Sequence, residues 1–149
     1  MTELNEGYDK MRFYGKGPFE NYCDRGDAAI LGVYEGAVEE FEHGYLTPQE
    51  CSNHTEMRWL EVCGEDKPTL QIKYVGKPFE ASVNEYSIEQ LENTTHRHLL
   101  QKTGRLTVTF DGKQRGVGGD VPAFACTKPR YKIYPVVKHS FSVQLSFKK

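Results

Sequence analysis

Residues 140–147, Ser-Phe-Ser-Val-Gln-Leu-Ser-Phe, alternate polar and apolar without a break. Phe141, Val143, Leu145 and Phe147 project to one side of an extended chain, and Ser140, Ser142, Gln144 and Ser146 to the other. A period of two is the mark of a half-buried antiparallel strand, one face on a core and one in water. Residues 105–112 repeat the pattern, with Leu106, Val108 and Phe110 opposite Thr107 and Thr109. Three further stretches, 55–62 (TEMRWLEV), 69–76 (TLQIKYVG) and 79–86 (FEASVNEY), are rich in the aromatic and branched residues that favour strands. Turn residues separate them at 64–68, 76–78 and 111–112. One short helix is expected where Ser87 caps a turn and Gln90 stands at its third position, running to about Asn93 before Thr94 and Thr95. Many short strands with regular turns predict an all-β fold, an antiparallel sandwich with one short helix, in a single domain over residues 1–149.

Composition narrows the function classes. Nineteen basic and twenty-one acidic residues leave a net charge of −2, without the footprint of a nucleic-acid or anionic-membrane binder. The apolar runs are too short to span a bilayer. The polar, acidic start MTELNEGYDK is unlike a signal peptide, and Cys23, Cys51, Cys63 and Cys126 lack C-x-x-C spacing. Both features predict a cytoplasmic chain with reduced thiols and no zinc. Asn53 and Asn93 fit the glycosylation pattern, which has no bearing without secretion.

Four stretches carry polar chemistry. In RGVGGDVPAF, residues 115–124, the glycines allow a tight turn or a close approach to a ligand. A phosphate is excluded, because Asp120 stands where the anion would sit and no helix follows. In YGKGPFENYCDR, residues 14–25, Tyr14, Phe19 and Tyr22 accompany Glu20, Asn21, Asp24 and Arg25. That mixture suits either an aromatic-pinned surface loop or a sugar, which offers apolar faces to rings and hydroxyls to carboxylates. In LTPQECSNHTEMRW, residues 46–59, Glu50 and Asn53 are hydrogen-bonding candidates at the mouth of a strand, or the loop satisfies its own backbone. In THRHLL, residues 95–100, His96 and His98 project to one side of an extended segment. They lack the further ligands a metal needs, so a structural or sugar-facing role is expected. A histidine with Glu50 would also suit acid–base epimerisation of a sugar.

Taken in order, YGKGPFENYCDR, TPQECSNHTEMRW, THRHLL and RGVGGD resemble the C-terminal region of family 2 beta-galactosidases, from about Met11 to Phe147. The resemblance implies a supersandwich similar to galactose mutarotase, of which this chain forms the C-terminal part. It implies hydrolysis of terminal β-galactosides such as lactose, with the catalytic glutamates on a barrel domain outside this chain. Catalytic residues are therefore expected to be absent here. No cofactor is expected in the chain, the family's Mg2+ and Na+ sites lying elsewhere. A galactoside and the remaining domains are the implied partners, with a homo-oligomer possible. In the family, the segment after GGD carries a tryptophan that stacks on the sugar beyond the galactose subsite. Here Val121, Pro122, Ala123 and Phe124 follow Asp120, and Phe124 offers a smaller ring. The sugar-binding candidates are Gly119, Asp120, Phe124, His96, His98, Glu50 and Asn53. The alternatives are a carbohydrate-binding module stacking sugars on Phe124, Phe19 or Tyr22, and a mutarotase-like epimerase.

Overall fold

The computed structural model describes residues 1–118 and 126–149. Among the described residues, nine strands form two antiparallel sheets. The first sheet holds β1 (Thr2–Leu4), β8 (Leu106–Asp111), β7 (Phe79–Asn84) and β4 (His54–Met57), in that order. The second holds β3 (Ile30–Ala37), β2 (Lys10–Gly17), β5 (Trp59–Cys63), β6 (Thr69–Val75) and β9 (Ser142–Lys148). Two open sheets face each other as the alternation of the sequence predicts.

The core lies between them. Leu4, Met57, Phe79, Ala81, Val83, Leu106 and Val108 point inward from the first sheet. Met11, Phe13, Leu60, Val62, Leu70 and Ile72 meet them from the second. Phe13 is the pivot of an aromatic cluster. Its ring lies 5.5 Å from Phe41 in an edge-on arrangement, 5.3 Å from Tyr34 and 4.7 Å from the imidazole of His54.

The helix expected after Ser87 is present as α2 (Ile88–Asn93), where the Ser87 hydroxyl accepts the Gln90 N–H at 3.1 Å. One additional four-residue helix, α1 (Val38–Phe41), precedes it in the chain. It delivers Val38 and Phe41 to the core, and the Glu40 carboxylate accepts the Ala37 N–H at 3.0 Å.

Two details correct the strand reading. Residues 55–62 are divided between sheets: β4 ends at Met57 in the first, and β5 starts at Trp59 in the second. The division follows from a bulge, for the register shifts between His54 and Met57, and Glu56 adopts φ 54°. Arg58 already belongs to the second sheet, its N–H bonding to Tyr14 O at 2.8 Å and its carbonyl receiving Tyr74 N–H at 3.0 Å. The alternation breaks at the change of sheet, for Met57 is buried at an odd position and Leu60 and Val62 at even ones, with Trp59 turned outward between them.

The second correction concerns β9. It pairs with β6 over seven residues, Leu70 opposite Phe147 and Ile72 opposite Leu145. Yet Leu145 is 52% and Phe147 62% exposed, whereas Leu70 and Ile72 are buried. The second sheet has five strands and the first has four. The fifth strand overhangs: Val143 on its apolar side packs against the core, whereas Leu145 and Phe147 have no opposing layer among the described residues. Tyr74 and Phe141 extend the exposed strip.

An uncovered apolar edge strand without inward charge invites association. The 149-residue chain is therefore expected to self-associate in sedimentation velocity runs as its concentration rises. Leu145→Lys combined with Phe147→Lys should return it to a monomer. A parent chain that stays monomeric at every concentration would contradict this account of the overhang.

Candidate functional site

The loop after β2 and the segment before β4 are fastened together by one buried carboxylate. Glu20, its side chain 1% exposed, accepts the Ser52 N–H at 2.6 Å, the Tyr45 hydroxyl at 2.5 Å and Arg25 Nη1 at 3.2 Å. Arg25 Nη1 also donates to the Tyr45 oxygen at 2.8 Å, so the three groups close a triangle. Burial raises the Tyr45 hydroxyl pKa, and the Glu20 charge raises it further, keeping the phenol a donor. Tyr22 is buried beside them, its pKa raised first by burial and then by Glu20.

Asn21 completes the fastening. Its side-chain oxygen accepts the Thr55 N–H at 3.0 Å and the Thr55 hydroxyl at 2.6 Å, and its amide donates to Lys16 O and Phe19 O. His54 is fully buried, with Nδ1 2.9 Å from Ser52 O and Nε2 3.0 Å from Pro18 O. Burial lowers its pKa, opposed by the two carbonyls, each of which favours an N–H. Of the two readings of residues 14–25, the aromatic-pinned loop fits these contacts, with Tyr22 buried. Glu20 and Asn21 are spent inside the protein, and Phe19 is the exposed ring, at 68%.

Asp24 faces the other way, onto the glycine loop. Its two carboxylate oxygens accept the N–H groups of Val117 (3.0 Å) and Gly118 (2.9 Å), the latter at φ 84°. The Gly116 carbonyl accepts the Thr127 hydroxyl at 2.8 Å, and the Gly116 N–H bonds to Tyr131 O at 2.9 Å. The described residues on both sides of 119–125 are thereby tied to one another. Gly119, Asp120 and Phe124 themselves lie outside the described residues.

The other sequence candidates are placed as follows. Glu50 borders a groove of about 560 Å³ with Tyr22, Asp111 and Gln114. Gln114 Nε2 reaches both Glu50 Oε1 (3.5 Å) and Asp111 Oδ2 (3.3 Å). Partial burial and the neighbouring Asp111 raise the Glu50 pKa. Asn53 is buried rather than displayed: its amide donates to Asn21 O (3.0 Å) and Glu80 Oε2 (3.1 Å), while its buried Oδ1 has no partner among the described residues. His96 and His98 are exposed, with rings 5.6 Å apart. The segment is not a continuous extended strand, since Arg97–Leu99 forms a 3₁₀ turn after an extended His96. His96 Nδ1 lies 2.9 Å from the Thr95 hydroxyl. Among the described residues, no group of three or more His, Cys, Asp or Glu is arranged to hold a metal.

Sequence reasoning missed Tyr45 and Glu80. Glu80 comes from β7, whose residues are buried on both faces. No local signal separates Glu20 or Glu80 from a surface acid, because Ser52, Tyr45 and Asn53 come from 25 or more residues away.

The class this arrangement defines is a two-layer antiparallel sandwich carrying a polar, glycine-containing loop cluster at one end. The beta galactosidase small chain profile matches residues 1–145. The chain is 39% identical over 135 residues to a beta-galactosidase of Priestia megaterium, covering 90% of this chain and 13% of that protein. It is 34% identical to beta-galactosidase BgaC of Bifidobacterium adolescentis, covering 93% and 13%. A Streptococcus thermophilus beta-galactosidase matches at 36% over 78% and 11%. The chain belongs to the beta-galactosidase small-chain family, and it spans only about an eighth of the length of these relatives.

Two outcomes test the network. Glu20→Ala leaves three donors without their acceptor and should cost about 1.5–3 kcal/mol, as for hydrogen bonds to a charged group. Urea unfolding measures it, and an unchanged midpoint would show the fastening to be dispensable.

Glu80 supplies the pH dependence. Burial raises its folded pKa above the unfolded carboxyl's, so the folded chain holds the proton more tightly. That stabilisation is present below the ordinary carboxylate value and is lost as pH rises through the folded pKa. Glu80→Gln keeps an acceptor for Asn53 without the charge. Its melting temperature should exceed the parent's at neutral pH, the gap closing on acidification. A gap that stays constant with pH would overturn the assignment.

Proposed function

We propose that the chain is the C-terminal part of the terminal sandwich domain of a beta-galactosidase, hydrolysing terminal β-galactosides such as lactose. The observation that carries this reading is the family match over residues 1–145. The catalytic carboxyl groups belong to parts of the enzyme outside this chain, as do its metal sites. Glycoside hydrolysis needs two carboxyl groups placed on either side of one bond. The best-held carboxylate here, Glu20, is instead occupied by three donors inside the protein.

In this reading the chain contributes to the sugar site beyond galactose. Gly119, Asp120 and Phe124 form the contact segment, and Asp24 holds the chain just before it through two backbone bonds. Glu50 and the exposed His96 and His98 are hydroxyl-binding groups, and buried Asn53, bonded to Asn21 and Glu80, steadies the segment that leads into β4. The exposed strip along β9 is where the rest of the enzyme docks. Assembly of whole enzymes into oligomers and a cytoplasmic location belong to the same proposal.

Activity assays separate this reading from a self-sufficient enzyme. The 149-residue chain alone should not turn over a nitrophenyl galactoside, whereas the full-length protein should. Turnover by the pure chain that disappears on replacing one of its own glutamates would refute the proposal. In the full-length enzyme, Phe124→Ala should weaken aglycone binding by about 1 kcal/mol, the scale of one aromatic contact. Inhibition by galactose should stay unchanged. An equal loss at both subsites would remove Phe124 from the aglycone role.

A further inference from the structure

The outward face of the five-stranded sheet carries side chains that folding does not require. Phe13, Leu60 and Ile72 are fully buried in the core, so their neighbours Tyr14, Trp59 and Lys73 point out of the sandwich. The register sets Val33, Tyr14, Trp59 and Lys73 in one row across β3, β2, β5 and β6. A second row, two residues along each strand, holds Glu35, Arg12 and Glu61. The solvent face of an antiparallel sheet is ordinarily polar. Here Val33 is 54% and Leu31 40% exposed, beside a half-buried tyrosine and the chain's single tryptophan.

The polar groups around the rings are already oriented. The Arg12 guanidinium lies over Trp59, 5.4 Å from the ring centroid, and Arg58 lies 5.5 Å from that of Tyr14. Arg12 also reaches Glu35 at 3.5 Å. The Glu61 carboxylate accepts from Gln71 Nε2 at 2.5 Å and pairs with Lys148 at 3.4 Å. The surface is a row of rings and aliphatic groups beside a row of donors and acceptors. Four strands at about 4.8 Å spacing give it a width of about 15 Å, wider than one sugar ring.

We propose that this face binds a neutral oligosaccharide, with Trp59 and Tyr14 stacking on successive pyranose faces. Arg12, Glu35, Glu61 and Lys73 take the hydroxyls. A pyranose has an apolar face for a ring and equatorial hydroxyls at its rim, which is the pattern of the two rows. Arg12, half exposed, swings to the edge of Trp59 and donates there as the sugar takes its place. A polyanion fits poorly, because Glu35 and Glu61 stand in the contact row. An apolar protein surface fits poorly as well, since covering the row would desolvate those carboxylates and both arginines. The breadth of the face, four strands across, favours a chain of sugars over a single one.

The emission of Trp59 reports directly on the proposed contact. The 149-residue chain is titrated with β-1,4-galactotetraose, cellotetraose and galactose. A saturable change with either tetrasaccharide, at concentrations where galactose has little effect, is the expected result. Tyr14→Ala should weaken the tetrasaccharide at least about threefold, as loss of one ring contact implies. Phe19→Ala should leave it unchanged. Far-UV circular dichroism checks that each variant folds, and if Tyr14→Ala does not, Arg12→Gln with Glu61→Gln takes its place under calorimetry. Emission that ignores every saccharide overturns the proposal. So does a response that survives the platform variants and vanishes in Phe124→Ala. Neither result bears on hydrolysis by the full-length enzyme, which tests the functional reading separately.

Discussion

The buried carboxylate of Glu20 governs the end of the sandwich where the functional loops gather. A charge with a side chain 1% exposed is tolerated because its acceptor capacity is taken up by a backbone N–H, a phenol and a guanidinium. Two of those donors lie in the 45–52 segment and one lies in its own loop. Satisfying Glu20 therefore sets the distance between the two loops. Asn21 and His54 repeat the device with neutral bonds, tying residues 16–19 to residues 52–55. The loops are held by polar groups because each backbone atom they bury needs a partner.

From that fastening the geometry passes outward. Asp24 lies four residues beyond Glu20, and its carboxylate grips the N–H groups of Val117 and Gly118. Only a residue at ease with positive φ can follow there, and Gly118 supplies it. The Glu20 loop thus serves two segments at once, the 45–55 stretch on one side and the glycine loop on the other. The sandwich beneath supplies a rigid base through Phe13, which contacts Tyr34, Phe41 and His54 together.

The two sheet faces that remain open have different characters. The inner side of β9 is apolar and uncharged, and Leu145 and Phe147 on it lie exposed. The outer side of β2, β3 and β5 mixes rings with paired charges, as suits a ligand that stays hydrated at its rim. The second kind is the less expected of the two, because a solvent-facing sheet needs no aromatic row.

Local sequence determined β6 to β9 and marked β4 and β5 as one run, since alternation at 106–110 and 141–147 reports which side chains share a face whatever lies above them, but it did not mark β1, β2 or β3. It also determined α2, because the Ser87 cap acts within one turn. Four ordered motifs carried the family resemblance, which the match over residues 1–145 supports. Tertiary structure alone decided which faces are covered. The same pattern buries Leu106 and Val108 yet leaves Leu145 and Phe147 in water, because one sheet is a strand wider than the other. It also decided which polar residues are internal. Glu20 and Glu50 sit in similar loop sequences, and only the arrival of Ser52 and Tyr45 from distant positions draws the first inside while the second borders an open groove. Burial is a property of partners brought together by the fold, and partners 25 to 32 residues apart leave no local trace.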